Sequence, residues 1–398
     1  MLQFFSASTN IVNSKRAITE CLENALKDEP NLDCDLIIIY SAMGHNFKDL
    51  LSEARRLSPG ARIAGCTCAG IIGNNGSDES MTALAIMAIK GPKEEFAVSA
   101  SESSIISDPY NYSAKLAKDL KNKNPGINLI LLYPSGKTWE CDKIIEGVES
   151  VFGPDVPIIG GFSIDGKLVS DFQFFGEKVF EKSAVIVGFA DPSIELISQA
   201  TVGFDIIGNP IEVTMSENNH LFELDGKNAW ECLAVKLEMP YSTSDLDVIN
   251  VACLAAEIPG KSHKDYDSRF RIVGGFVHEP DGSIFTFTDV PVGTKLWLAR
   301  GNEKKVFAGV DQMMVWILER LDGRKPLAVF HADCSGRGKV LLNRIMKDEI
   351  IYRLQYPICK GEDIPWLGIY GGGEITPLDG ENQILVYTSS LYVLTRRK

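Results

Sequence analysis

The stretch DLIIIYSAMGHNFKDLLSEARRLSPGARIAGCTCAG, residues 35–70, recurs in outline as NLILLYPSGKTWECDKIIEGVESVFGPDVPIIGGFSID, residues 128–165. Each copy opens with a continuous apolar run of strand length that ends in a tyrosine, Tyr40 or Tyr133, followed by a small polar turn. An amphipathic segment follows. Phe47, Leu50, Leu51, Ala54 and Leu57 share one helical face in the first copy, and Ile144, Ile145, Val148 and Val151 share one in the second. A Pro/Gly turn closes each helix, Pro59-Gly60 or Gly153-Pro154, and a second short strand then runs into small residues, Ile63 to Cys66 or Ile158 to Gly161. Both copies end on another apolar strand, Thr82 to Ile89 and Ala184 to Ala190. The unit is strand, helix, strand, strand, spanning about 35–90 and 128–190. Apolar runs without alternation are buried on both faces, so helices must cover the sheet.

The second half of the chain echoes this pattern less closely. FRIVGGF (270–276) resembles IIGGF of the second copy, and LAVFHAD (327–333) reads as a buried strand feeding a helix at Val340–Met346. WLGIYGGGE (366–374) reads as a strand ending in glycines, and Gln383 to Leu394 as the closing strand. GFDIIGNP (203–210) is a turn-rich junction, followed by a helix at Asn228–Leu237, and IPGKSHKDYDSR (258–269) is a long polar loop. The expected class is α/β. It comprises two related mixed-sheet domains, residues 1–200 and 201–398, built from duplicated strand-helix-strand-strand units.

Composition narrows the function. The 398 residues are 45% hydrophobic and 23% charged with a formal net charge of −13, which excludes a disordered chain and disfavours a nucleic-acid partner. Nine cysteines, scattered except for Cys66-Thr67-Cys68, form no disulfide framework, and no apolar stretch is long enough to span a bilayer. A reduced, cytoplasmic setting without membrane insertion is expected.

Gly65-Cys66-Thr67-Cys68-Ala69-Gly70 and Gly160-Gly161-Phe162-Ser163 resemble the signature turns of the FIST N-terminal domain. FHADCSGR (330–337), with Gly368 to Ile375, resembles the FIST C-terminal domain, and Asn209-Pro210 with Leu224-Asp225-Gly226 is similar to the segment where that domain opens. The resemblance covers nearly the whole chain in the family's order. It implies a bacterial sensory module that binds a small ligand, with amino acids often suggested, and serves two-component and related signalling. One stand-alone branch binds haem and reports nitric oxide to a kinase. The two halves consume this chain's length, so the implied partner is a separate signalling protein, a histidine kinase or a cyclic-nucleotide output enzyme. Three positions depart from the family pattern: Ile71 where a glutamate is common, Gly372 where an aromatic precedes Gly-Glu, and Tyr387 to Ser390 in place of an Asn-containing turn.

The candidate site is drawn from strand ends, where glycines let a ligand approach backbone and where open sheets bind ligands. Gly65, Cys66, Gly161, Tyr370 and Gly373 are its expected lining, and no glycine run has the context of a nucleotide-binding fingerprint. Arg337, Glu374, Asp333 and Cys334 are its expected ligand contacts. An arginine fork suits a carboxylate and a glutamate suits an ammonium, so this pair either holds the two ends of an amino acid or forms a structural ion pair. If haem is bound, His331 or His45 is the expected axial ligand. Cys66 and Cys68 are expected on opposite strand faces, unable to grip one metal ion. A cysteine-dependent enzyme built on Cys334, Asp333 and His331 is the remaining alternative; the expectation is a protein without catalysis.

Overall fold

The computed structural model describes residues 1–138, 140–165, 170–244, 248, 251–258, 266, 268–274, 277–337 and 342–397. Both sequence copies fold as read. Strand Leu36–Ser41 pairs in parallel with Arg62–Thr67 and antiparallel with Leu84–Lys90. Leu129–Pro134 pairs in the same way with Ile158–Gly161 and Ala184–Phe189.

A third copy accompanies them: Ala328–Cys334 pairs in parallel with Trp366–Gly371 and antiparallel with Ser389–Arg396. Each unit also begins with a strand and helix that the sequence comparison did not include. These are Gln3–Thr9 with Ser14–Ala25, Phe96–Ala100 with Pro109–Lys123, and Ile194–Thr201 with Glu303–Leu321. Local chemistry starts these helices: Asn13, Asp108 and Asn302 each accept the backbone N–H three residues on, as does Asn46 at Phe47–Leu57.

The units are joined by exchange. After its second parallel strand, each chain segment leaves its own sheet and lays a hairpin on the sheet of another unit. The hairpin Gly70–Asp78 adds to the third unit's sheet, Phe172–Glu181 to the first unit's, and Glu374–Leu385 to the second unit's. Three six-stranded sheets result. Their inner faces meet in one core that includes Leu36, Ile38, Leu129, Leu131, Phe330 and Leu394, while their outer faces are packed by helices. At its centre the hydroxyls of Tyr40 and Tyr133 hydrogen-bond to each other, with ring centroids 5.3 Å apart at 78°.

Several sequence expectations are corrected. Residues 204–210 are not a turn but the first half of strand Phe204–Glu217, with a register shift between Ile207 and Ile211 at the exposed Gly208-Asn209-Pro210. This strand opens an eight-stranded sheet with its own core around Ile211, Trp230, Leu233 and Leu254, inserted between the third unit's first strand and first helix. FRIVGGF lies in that insert, as strand Phe270–Gly274, and is no counterpart of IIGGF; Gly275 and Phe276 lie outside the described residues, as does most of the loop 258–269. The helix expected at Val340–Met346 is Arg344–Cys359, capped by Asn343; its exposed Ile345, Tyr352 and Tyr356 blur the apolar stripe. WLGIYGGGE divides between two sheets, as Trp366–Gly371 and the start of Glu374–Leu378. The closing strand likewise divides into Glu381–Leu385 and Ser389–Arg396, around Tyr387 with a left-handed φ of 61°. Residue 200 falls inside strand Ile194–Thr201, whose partner is the C-terminal strand.

A polar knot ties the ring of units shut. The buried Asp191 accepts from the Leu2 amide (3.1 Å) and from Arg396 Nη1 (2.7 Å), while Arg396 Nη2 donates to the Leu2 carbonyl (2.7 Å). Burial pushes its carboxyl up, but bonds from Ser193, Arg396 and Leu2 outweigh that and hold it below the usual range. Its stabilising contribution is therefore complete above the ordinary Asp range and is lost as pH falls through the lowered value. Asp191→Asn should flatten the acid limb of a stability–pH profile measured by urea denaturation. Tyr133→Phe, which leaves the Tyr40 hydroxyl buried without this partner, should cost about 1–3 kcal/mol in the same assay, and the double Phe variant less than twice that.

Candidate functional site

Register relates the three units residue by residue. Gly65, Gly160 and Gly368 are equivalent, as are the next residues Cys66, Gly161 and Ile369; opposite these last three stand Gln173, Glu374 and Ile71. Gly65 and Gly160 have positive φ, 153° and 139°, and an added Cβ would lie 2.0 and 2.2 Å from the carbonyl oxygens of Ile39 and Leu132. No other residue fits there. Equivalence extends to the strand ends, where Ala42, Ser135 and Cys334 each donate a backbone N–H to Ala83, Ser183 and Thr388. The three resulting sites, Ala42/Ala83/Ile71, Ser135/Ser183/Gln173 and Cys334/Thr388/Glu374, differ sharply in polarity.

The first is apolar. The second is a closed network: Gln173 Nε2 and Ser135 Oγ donate to Asp171 at 2.8 and 2.9 Å, and Gln173 Oε1 accepts from the Ser183 amide at 3.1 Å. Burial nevertheless pushes the Asp171 carboxyl up.

The third holds four of the residues singled out from sequence. Arg337, Asp333 and Glu374 are 2%, 3% and 0% exposed. Arg337 Nη1 donates to the Thr201 carbonyl (3.2 Å), and its Nε lies 3.4 Å from Asp333 Oδ1, misaligned for a hydrogen bond. The structural pairing of Arg337 is thus with Asp333. Glu374 Oε2 accepts from the amide and hydroxyl of Thr388. Among the described residues, Arg337 Nη2, Asp333 Oδ1 and Glu374 Oε1 have no hydrogen-bond partner. Burial pushes the Glu374 carboxyl well above the usual range, Thr388 and Arg337 offsetting it only in part, which favours its uncharged form. Burial and the neighbouring Glu374 likewise push the Cys334 thiol up, the opposite of what an activated nucleophile needs.

The remaining expected residues are distributed. Gly161 faces Glu374 across the sheet, and Gly373 (φ 158°) precedes it. Tyr370 is the register neighbour of Asp333 on the adjacent strand and its ring packs on the helix side of the sheet, with Lys347 Nζ 5.6 Å from the ring centroid. Gly65 and Cys66 belong to the first unit's sheet, opposite Phe174 and Gln173 respectively. Cys66 and Cys68, two residues apart, point to the same face and both enter the central core, which corrects the expectation of opposite faces; burial pushes both thiols up, Cys68 to about 12. No group of three potential metal ligands occurs among the described residues.

Among the described residues, His45 and His331, the two expected haem ligands, are held inside the fold, although His331 Nδ1 has no hydrogen-bond partner there. His45 bonds through Nε2 to the Thr82 carbonyl (2.9 Å) and through Nδ1 to Ser14 Oγ (3.3 Å). His331 Nε2 bonds Ser389 Oγ (2.9 Å), and its ring stands edge-on to Trp366 inside the fold. His220 and His278 stack on Phe285 and Trp230, and His263 lies outside the described residues.

Two features escaped the sequence reading. One is the Ser135/Asp171/Gln173 network, which an alignment of all three units would have exposed. The other is the roof: Cys253, Ala255 and Ile272 of the insert pack with Cys334, Leu385 and Val386 over the strand ends. Tyr387 sits between them, its ring against Gly336, where an added Cβ would be 3.0 Å away.

Two family assignments cover the chain, the FIST N domain over residues 35–227 and the FIST C domain over 248–377. This chain belongs to the FIST family. FIST domains are signal-transduction sensor domains, and this FIST protein contains no helix long and apolar enough to cross a membrane among its described residues. It is 22% identical over 389 residues to uncharacterized proteins of two Mycobacterium tuberculosis strains, CDC 1551 / Oshkosh and ATCC 25618 / H37Rv, covering 95% of each chain. Among solved structures it is similar to a chorismatase (TM-score 0.41, 9% identity, 99% of both chains) and to the cyanuric acid hydrolase of A. caulinodans (TM-score 0.37, 7% identity, all of both chains).

A carboxyl neutral in the fold but ionised when unfolded adds stability that is complete below its ordinary range, near 4.5, and is lost as pH rises. Glu374→Gln should therefore gain melting temperature relative to wild type as pH is raised from 4 to 8. A difference that stays constant with pH would show that Glu374 is ionised in the fold.

Proposed function

We propose that this FIST protein is a non-catalytic sensor. It binds a small metabolite, an amino acid or a related acid, at the Asp333/Cys334/Arg337/Glu374 cluster and signals to a separate partner such as a histidine kinase or a cyclic-nucleotide output enzyme. One observation carries the reading. Three charged-type side chains, each at most 3% exposed, keep polar atoms that no described group of the chain satisfies. An unsatisfied buried polar group costs about 1–3 kcal/mol, more when it is charged, and a cluster of them is a receptor for a complementary molecule.

The equivalent cluster of the second unit has the same architecture and bonds Asp171 from within, which supports a recognition role for the third rather than a general need of the fold. The insert over the strand ends supports a signalling role, because a ligand entering beneath it must displace contacts that a partner protein can read. Arg337 itself holds the Thr201 carbonyl, immediately ahead of the strand that enters the insert. The raised Cys334 thiol supports the absence of nucleophilic catalysis.

A thermal-shift screen of amino acids and small organic acids tests the reading. At a concentration one hundred times Kd, a ligand stabilises the fold by about 2.7 kcal/mol. The expected outcome is one compound class that raises Tm saturably in wild type and fails to do so in Arg337→Ala. If the same rise persists in Arg337→Ala, binding lies elsewhere.

A further inference from the structure

Resting on that reading of the site, we infer that the molecule received here is a carboxylate, bound by a hydrogen bond donated from Glu374 at the place where Gln173 donates in the second unit and by the free edge of the Arg337 guanidinium, with no ammonium group required. Sequence alone pairs the glutamate with an ammonium. The geometry of the equivalent positions points the other way.

Gln173 and Glu374 occupy the same place in the second and third units and make the same backbone contact. Gln173 Oε1 accepts the Ser183 N–H, and Glu374 Oε2 accepts the Thr388 N–H. The remaining terminal atom of each side chain is then directed to equivalent surroundings. In the second unit that atom is the amide nitrogen, and it donates to the carboxylate of Asp171. In the third unit it is Glu374 Oε1, fully buried and without a partner among the described residues. Because Oε2 already accepts both Thr388 donors, the proton of the neutral acid resides on Oε1, making it a donor where Gln173 also presents one.

Arg337 agrees. Arg337 contributes Nη2, a second buried donor without a partner, and its charge and that of Asp333 both reach Glu374. The side chain that could supply a resident carboxylate is missing, since counting back from Glu374 as from Gln173 places Gly372 at the position of Asp171. An ammonium would face a guanidinium and an uncharged acid, leaving it only Asp333, which already lies beside Arg337 Nε and His331 Nε2. A carboxylate would meet two donors in a low-dielectric site, the arrangement in which charge-assisted bonds are strongest.

Matched compounds read by calorimetry and thermal shift test this: propionate and succinate, the amine propylamine, and alanine, which carries both groups. Propionate or succinate should bind, propylamine should not, and alanine should bind no tighter than propionate. Glu374→Gln, which keeps a neutral donor, should hold affinity within about threefold. Arg337→Lys, which keeps the charge and loses the fork, should lose about tenfold or more. Infrared spectra supply a ligand-free readout: a protonated-carboxyl C=O band that persists above neutral pH and disappears in Glu374→Gln. An ionised Glu374 together with propylamine binding overturns the ligand class while leaving the site in place. The acid band with no binding of any compound, nor of any in the wider screen, overturns the site itself and the ligand class with it.

Discussion

Each sheet of this protein depends on backbone donated by a neighbour. A parallel pair such as Leu36–Ser41 with Arg62–Thr67 leaves one strand edge open, and an open edge in a buried setting strands its N–H and C=O groups. The hairpin that satisfies it comes from the next unit, so no sheet is complete without one of the other two. That exchange makes the units interdependent. It also explains why the N and C domains recognised in the sequence interlock: hairpin Gly70–Asp78 lies on Trp366–Gly371, and Glu374–Leu378 lies on Ile158–Gly161.

The proposed function is drawn from where this repetition is broken. The backbone is the same at the three strand ends, but the side chains run from apolar to self-satisfied to unsatisfied. Ile71 beside Ala83 belongs to the core. Gln173 with Asp171 forms a closed polar network. Glu374, Arg337 and Asp333 carry similar groups without closing it. The insert is confined to the unit that holds this third cluster, and its residues meet the cluster at Cys334 and Val386. A sheltered, unbalanced polar site beneath an added layer is a reasonable physical basis for a sensor: shelter strengthens each interaction, and the layer gives binding a consequence elsewhere in the molecule.

Much of the site was legible because strand-end chemistry is local. Asp333, Cys334 and Arg337 follow one another closely after a recognisable strand, and Glu374 follows a glycine run, so proximity in sequence was a fair guide. Their mutual relations were not legible. Arg337 pairs with Asp333 because both lie at the end of Ala328–Cys334, whereas Glu374 belongs to a hairpin on another unit's sheet. Tyr370 stands beside Asp333 in register on the adjacent strand, and Asp171 joined the comparison only once the second and third hairpins were placed in register. The third unit was missed as a repeat because the insert separates its first strand from its first helix, and because Tyr387 divides its last strand in two.

The amino-acid sequence by itself determined the α/β class, the strands and helices of the first two units, the positions of the obligatory glycines Gly65 and Gly160, and the family. All of these follow from periodicity, capping and steric rules acting within a few residues. Only the tertiary structure decided which hairpin completes which sheet, that Glu374 is buried beside Thr388 rather than paired with Arg337, and that the insert roofs the third unit. Those outcomes depend on contacts between residues far apart in the chain, where burial and unmet hydrogen bonds, rather than local preference, set the energy.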